Sequence, residues 1–509
     1  MISIGHYVER ERRLLWLFMG LALGLGGMMG LLIAAGLHPL TPFLVAGGLL
    51  VSIAMFMRPE WGLLALVFIA YTRLSDVLVH YHGLPSVFQP FMLLLVLTVI
   101  IRSWLYGELP RGWLSAAMLL GLYGFVGFSS LLYAADGMAA QTAFITYLKD
   151  VIIALVVMLL LQRPVDFRRV VWVLLLAGIF LGTITTFQHL TGTFTNPYGG
   201  FADADLQHII GATNDYRIAG PVGDPNFYGQ ILVILLPLAL DRFWNERSRF
   251  LRLLAAWALV VCLLSIVFTF SRGAFVATVL VLAFMLLHHP PRPVTVLLTI
   301  AIALPLLQFV PAEYTERVRT IPDAVLGFSG RMTGDISLRG RTSEITVGWL
   351  MFADHPVQGV GLDNYPHYYQ EYSRSLGLDQ RRGERHAHSL YLQIASEMGI
   401  LGLTAFALIL WYLMKGLRDG RRNFLKAGMT DYASMVSALG IGIAGYLIAA
   451  LFLHGAFPRY LWLLLGIGFS VPQVARHQLV QLQARTRVAA RQQPMRPKAM
   501  AAQVRGNQS

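Results

Sequence analysis

Residues 252–270 read RLLAAWALVVCLLSIVFTF, residues 271–273 read SRG, and residues 274–288 read AFVATVLVLAFMLLH. The first run carries a single charge, Arg252, at its edge. At about 1.5 Å of rise per residue, a helix of this length crosses a hydrocarbon core of about 30 Å. Within one segment only a helix satisfies all its own backbone groups away from water. The short Phe270-Ser271-Arg272-Gly273 turn then sends the chain straight back. This pair of apolar helices around a charged corner sets the expectation for the chain: an all-α integral membrane protein.

Similar runs lie on either side, at 14–36, 86–105 and 435–453 among others. The composition agrees. Of 509 residues, 56% are hydrophobic and only 13% are charged, with a mean hydropathy of +0.60. A soluble protein of this size carries charge on roughly a quarter of its residues. About 12 to 14 spans are expected. They fall near 14–36, 41–57, 60–75, 86–105, 114–133, 146–162, 170–188, 228–244, 250–270, 273–289, 293–311, 390–414, 435–453 and 460–475. The first follows Arg10, Arg12 and Arg13. It is too long for a signal-peptide core and reads as a retained span. The lone cysteine, Cys262, sits in an apolar run and reads as a packing residue.

The basic residues give a direction. With the N-terminus inside, the inside connections hold Arg58; Arg102 and Arg111; Arg163, Arg168 and Arg169; Arg242, Arg247, Arg249 and Arg252; Arg292; and Lys415, Arg418, Arg421, Arg422 and Lys426. Together with the N-terminal three and seven in the tail from Arg476 on, these are 26 of the 40 Lys and Arg residues. This is the positive-inside pattern, and it puts both termini in the cytoplasm. The net charge of +13 does not point to nucleic acid. The acid-free basic tail reads more simply as an anchor against anionic bilayer lipid. Five regions follow: N-terminal helices over 1–188, a helical group over 189–311 opening with an outside loop at 189–227, a large outside loop over 312–389, C-terminal helices over 390–475, and the basic tail 476–509. No internal repeat relates the halves.

The residues that could carry chemistry gather on the outside. Arg217 precedes Gly220-Pro-Val-Gly-Asp-Pro-Asn226, a tight turn where backbone can approach a ligand and a forked cation can meet a phosphate. Ser271 is an expected N-cap, which aims amide groups and a positive dipole end outward beside Arg272. A charge so close to hydrocarbon needs a cavity or a partner. In the large loop, Gly340-Arg341-Thr342-Ser343-Glu344 opens a helical stretch, and His355-Pro356 through Gly359 and Gly361 to Asn364 reads as a turn. Tyr365, His367, Tyr368, Tyr369 and Tyr372 form an aromatic patch that either stacks on sugars or covers the membrane interface. Arg381, Arg382, Arg385, His386 and His388 close the loop. His386 and His388 lack a third residue at metal-ligand spacing, so no metal is expected. Gln393 and Glu397, four apart, share a helix face, and Glu397 needs a partner there.

His388-Ser389 followed by Gly399 and Gly402 resembles the histidine motif of bacterial O-antigen ligases and the related O-antigen polymerases. The order Arg217, Ser271-Arg272-Gly273, Arg341, then His355-Pro356 to Gly361 is similar to that family, over roughly residues 210–410. The resemblance implies a GT-C-like glycosyltransferase bundle with one large periplasmic loop, in a bacterial inner membrane. It implies a donor glycan on undecaprenyl pyrophosphate, and an acceptor that is lipid A-core or a second lipid-linked glycan. It implies neither cofactor nor obligatory metal. Arg217, Arg272 and Arg341 would hold the donor diphosphate, with His388, Arg272 and Arg341 catalytic. Arg385, His386, Tyr365 and Tyr369 are candidates for acceptor or sugar contact. Ligase and polymerase share the donor chemistry, so the sequence leaves that choice open. A transporter of lipid-linked sugars would call for paired halves and charges deep in several spans, and the ionisable residues cluster instead at outer helix ends.

Overall fold

The computed structural model describes residues 51–107, 112–210, 213–288, 336–378, 385–455 and 458–492, with a few isolated positions besides. Most of the expected spans at 14–36, 41–57 and 293–311, and the tail beyond Gln492, lie outside the described residues. Among the described residues, eight helices are long and apolar enough to cross a membrane. They are Phe88–Leu105, Trp113–Leu132, Gly137–Leu160, Pro164–Thr191, Pro225–Asn245, Arg249–Phe268, Leu390–Lys426 and Thr430–Phe452. Each falls on an expected span. The chain is thus an all-α, multi-span membrane protein.

Three expected spans take other forms. The one near 60–75 is Pro59–Thr72, which forms a bent pair, turned by 116°, with Val51–Met57, the described end of the 41–57 span. The break lies at Arg58 (φ −133°, ψ 72°), because the residue before a proline is steered out of the helical region and Pro59 then opens the next helix. The 273–289 span is Arg272–Leu287, shorter than the others. The 460–475 span lies inside a 35-residue helix, Pro458–Gln492, that runs on past the apolar stretch.

Pro225–Asn245 is the axis of the bundle, with almost every side chain buried. Arg249–Phe268 and Thr430–Ala449 flank it. Leu390–Lys426 and Gly137–Leu160 both pack on Pro458–Gln492. In lipid there is no hydrophobic drive between helices, so close backbone approach over small residues carries the association. A Cβ on Gly442 would lie 2.7 Å from the Ile234 carbonyl oxygen, and one on Gly466 would lie 2.7 Å from that of Ala154. One end of the axis carries a buried ion network. Arg242, fully buried, pairs with Asp241 at 2.7 Å and Asp431 at 2.8 Å, and Arg168 pairs with Glu246 at 2.7 Å.

At the other end the two long connections meet. The 189–227 segment folds an antiparallel hairpin, β1 (Ala204–Ile210) with β2 (Thr213–Ile218), which pairs Asp205 with Arg217. The described part of 312–389 holds two helices, Ile336–Asp354 and Tyr365–Ser375. They close over a small core of Val347, Met351, Val360, Tyr365 and Tyr369. This unit is tied to the bundle by Asn364, whose Oδ1 accepts from the Asp136 backbone N–H at 2.7 Å.

Candidate active site

The corner around Thr269-Phe270-Ser271-Arg272 brings the arginines together. Phe270 takes a left-handed backbone (φ 50°), and Ser271 Oγ accepts from the Ala274 N–H at 3.4 Å, as an N-cap does. Arg272 then stands at the positive end of its helix. Arg217 is buried beside it. Its Nε donates to the Thr269 carbonyl at 2.9 Å, Nη1 to Gln207 at 2.9 Å and Nη2 to Asn226 at 3.0 Å. Asn226 is itself fixed by Asp224, which caps the Pro225 helix by accepting from the Asn226 and Phe227 N–H groups. Burial lowers the Arg217 pKa to about 10; Asp224 opposes this, while the charges of Arg341 and Arg272 add to it. Arg272 and Arg341, from two other segments, therefore both lie within electrostatic reach of Arg217. Such a cluster of like charges is relieved by an anion.

Beside them stands His388, also in a left-handed conformation (φ 45°). Its Nε2 lies 3.2 Å from Glu344 Oε2. Arg385 Nη1 lies 3.3 Å from the other oxygen of the same carboxylate. The contact of Nε2 with Glu344 is an ion-pair distance and not a hydrogen bond, and the buried Nδ1 of His388 makes no hydrogen bond among the described residues. Burial first, then Arg341, His386 and Arg385, pull the His388 pKa down to about 3. His388 is therefore a neutral imidazole across the physiological range. His454 packs against it edge-on at 5.5 Å and stacks on His386 at 4.4 Å. Burial, then His386 and His388, also lower His454 to about 3.

Glycines hold this site onto the bundle. The Leu390–Lys426 helix breaks at Gly399 (φ 61°, ψ −160°), a conformation open in practice only to glycine. The break frees backbone groups that the His355–Gly361 loop takes up. Val360 N–H donates to the Ser396 carbonyl and Gly361 N–H to that of Glu397, each at 2.9 Å, while Ile400 N–H donates to the Pro356 carbonyl at 2.8 Å. A Cβ on Gly359 would meet the Glu397 backbone at 2.3 Å, and one on Gly399 the Val357 carbonyl oxygen at 2.3 Å. Both motifs thus read as halves of one backbone clasp, where the sequence alone suggested a turn. Glu397 has the partners it needs. Gln393 Nε2 donates to it at 3.3 Å and the Asp363 N–H at 3.1 Å, and Gln393 Oε1 accepts from the Gly455 N–H at 2.8 Å. A cavity of about 440 Å³ opens here, lined by Glu397, Gln393, Gln230 and His454 with the rings of Tyr147 and Trp462.

The other candidates divide. Arg385 and His386 stand at the site. Tyr365 and Tyr369 do not present their rings to a ligand, being only 0% and 2% exposed. They stack on each other in the loop core, and the Tyr365 hydroxyl donates to the Glu344 carbonyl. Their role is to hold the helix that carries Glu344. Two site residues had no assigned role in the sequence. Glu344 was one acid in an ordinary amphipathic stretch, its only signal being its place three residues after Arg341. His454 is an isolated histidine between two spans, outside any motif. Among the described residues, no group of three or more His, Cys, Asp and Glu gathers as metal ligands.

Residues 257–407 match the family model described as O-antigen ligase. The match spans the Ser271 corner, Arg341, Glu344, the glycine clasp and His388; it supports assignment to the O-antigen ligase and polymerase family. Comparison with curated proteins gives no match.

Proposed function

We propose, from the premise that residues 257–407 carry an O-antigen ligase domain, that this protein transfers a glycan from undecaprenyl pyrophosphate to an acceptor hydroxyl at the periplasmic face of a bacterial inner membrane. The single observation that carries the reading is the meeting of Arg217, Arg272 and Arg341 beside a neutral histidine with a bare Nδ1.

The chemistry follows from that arrangement. The acceptor oxygen attacks the anomeric carbon, and the bond from that carbon to the diphosphate oxygen breaks, its electron pair leaving with the diphosphate. Negative charge grows on that leaving oxygen, and fixed cations lower the barrier most where charge develops. Arg272 and Arg341 supply them, with Arg217 bracing the corner that aims Arg272. His388 Nδ1 takes the acceptor proton as the new bond forms. Glu344 sets the ring's orientation and stabilises the imidazolium, as a carboxylate does behind a catalytic histidine. Arg385 contributes charge at the acceptor side, with the His386 ring beside it. The arginines supply the positive charge that a divalent metal provides elsewhere, so no metal enters the scheme.

The ligase form, with lipid A-core or another acceptor, is preferred because it matches the family description; the polymerase form differs only in the acceptor. Purified protein is incubated with lipid-pyrophosphate glycan, alone and with a candidate acceptor. A product only with acceptor marks a ligase, and chain lengthening with donor alone marks a polymerase. Neither product with either substrate overturns the enzyme reading and favours transport. Arg272→Ala is expected to lower transfer by about 10²–10³-fold, the loss typical of a transition-state charge partner. His388→Ala is expected to abolish it, with both variants still folded in the membrane. Normal transfer by either variant removes that residue from the mechanism.

A further inference from the structure

We infer that the end of the bundle opposite the arginine–histidine site binds the phosphate headgroup of an anionic phospholipid. The proposal rests on a second cavity, of about 740 Å³, and not on the reaction above. Two helices fix its position. Gly137–Leu160 starts at Asp136, beside Asn364 of the site, and ends in this cavity at Leu159–Leu161. At about 1.5 Å per residue, that helix spans roughly 36 Å. Pro458–Gln492 likewise starts close to His454 and reaches the cavity with Gln473 through Val480.

Its lining combines cations from four separate connections, Arg58, Arg102, Arg163 and Arg476, with His477. In sequence these were merely four of the basic residues on one side; in the fold they converge on one bowl. Against them stand two acids, Glu60 and Asp166. Both acids are already engaged. Arg163 lies 2.8 Å from Asp166 and 3.2 Å from Glu60, and Arg169 lies 3.2 Å from Asp166. Arg58 is exposed, 3.7 Å from Glu60. Arg476 is exposed and makes no ion pair with any described residue. Among the described lining residues a surplus of positive charge remains, and an anion of at least one unit fits it.

The walls choose the kind of anion. Val99, Leu159 and Val480 line the same cavity. A free phosphate ion gains nothing from them. A phospholipid offers both a phosphodiester for the arginines and glycerol and acyl carbons for the apolar wall, and basic pockets between spans are favourable places for such headgroups. Arg476 is also the first of the seven basic residues of the acid-free tail.

The test uses the full-length protein in neutral detergent. Native mass spectrometry counts bound phosphatidylglycerol and phosphatidylcholine of identical acyl chains, for wild type and for R58Q/R476Q. Wild type is expected to retain phosphatidylglycerol in preference to phosphatidylcholine. With about 1 kcal/mol for each surface cation removed, the double variant should bind phosphatidylglycerol roughly 30-fold more weakly. Its melting temperature in phosphatidylcholine micelles should match wild type; if the double variant fails to fold, R476Q alone, at an exposed position without contacts, is expected to show about a fivefold loss. Equal retention of the two lipids, or undiminished phosphatidylglycerol binding by the folded variants, overturns the proposal. So does displacement of the lipid by millimolar inorganic phosphate, which would make the site one for a soluble anion.

Discussion

The pH dependence of transfer should differ between the empty and the donor-loaded protein, because the same cations that depress His388 are the ones the donor neutralises. In the empty site His388 titrates at about 3, held there by burial, Arg341, His386 and Arg385. A free imidazole titrates near 6.5. The profile of kcat/KM reports the free enzyme, so its acid limb should lie far below that value. A bound diphosphate brings negative charge beside Arg341. At an effective dielectric of about 20, one such charge at about 8 Å is worth roughly 2 kcal/mol, or about 1.5 pKa units. An opposite charge raises the histidine, so the acid limb of kcat should sit at least about one unit above that of kcat/KM. Arg341→Gln removes the first of the cations acting on the ring, so the kcat/KM limb of that variant should move upward and the gap should narrow. Initial rates of glycan transfer from about pH 2 to about pH 8, at limiting and at saturating donor, give both limbs. A kcat limb at or below that of kcat/KM, or a limb that Arg341→Gln leaves in place, would refute His388 as the base under arginine control.

Other changes separate scaffold from chemistry. Gly399→Ala forces a Cβ to within 2.3 Å of the Val357 carbonyl oxygen in a backbone region closed to alanine. The loop should detach and become open to protease, at a cost of more than about 3 kcal/mol; wild-type protease resistance would contradict the clasp. Arg242→Ala takes the cation from the buried Asp241, while Glu246 keeps Arg168, and should destabilise the protein by about 3–5 kcal/mol. A thermal or denaturant midpoint close to wild type would show that the network carries little. Treatment with a strong chelator should leave transfer unchanged, since the arginines provide the charge; a loss restored by magnesium would place a metal in the reaction.

What could be read from the sequence was whatever repeats in it. Long apolar runs mark spans because a helix must be apolar for its whole length in lipid, and the eight long helices fall where those runs lie. The break at Arg58 was legible, since one expected span ends at 57 and the next begins at 60, but an apolar count is blind to direction and hid the 116° turn between them. The order of Arg217, Arg272, Arg341 and His388 was legible as a series of motifs, but nothing in their spacing says that three of them press on one another. Glu344 and His454 escaped because each is a single residue whose meaning lies in a neighbour far along the chain. Tyr365 and Tyr369 were misleading for the opposite reason. A tyrosine-rich stretch looks like a sugar platform, while alternate faces of a short helix can bury some rings and expose others.

The clasp at Gly399 also works as a phase lock. The stretch from Leu390 to Met398 is helical, so each residue added or removed there would rotate His388 by about 100° relative to the fixed break. The number of positions between that histidine and the glycine is therefore set by angle, and Gln393 and Glu397, whose side chains join Gly455 and the Asp363 N–H to this stretch, fix it further. Insertion or deletion here would turn the histidine away from its site.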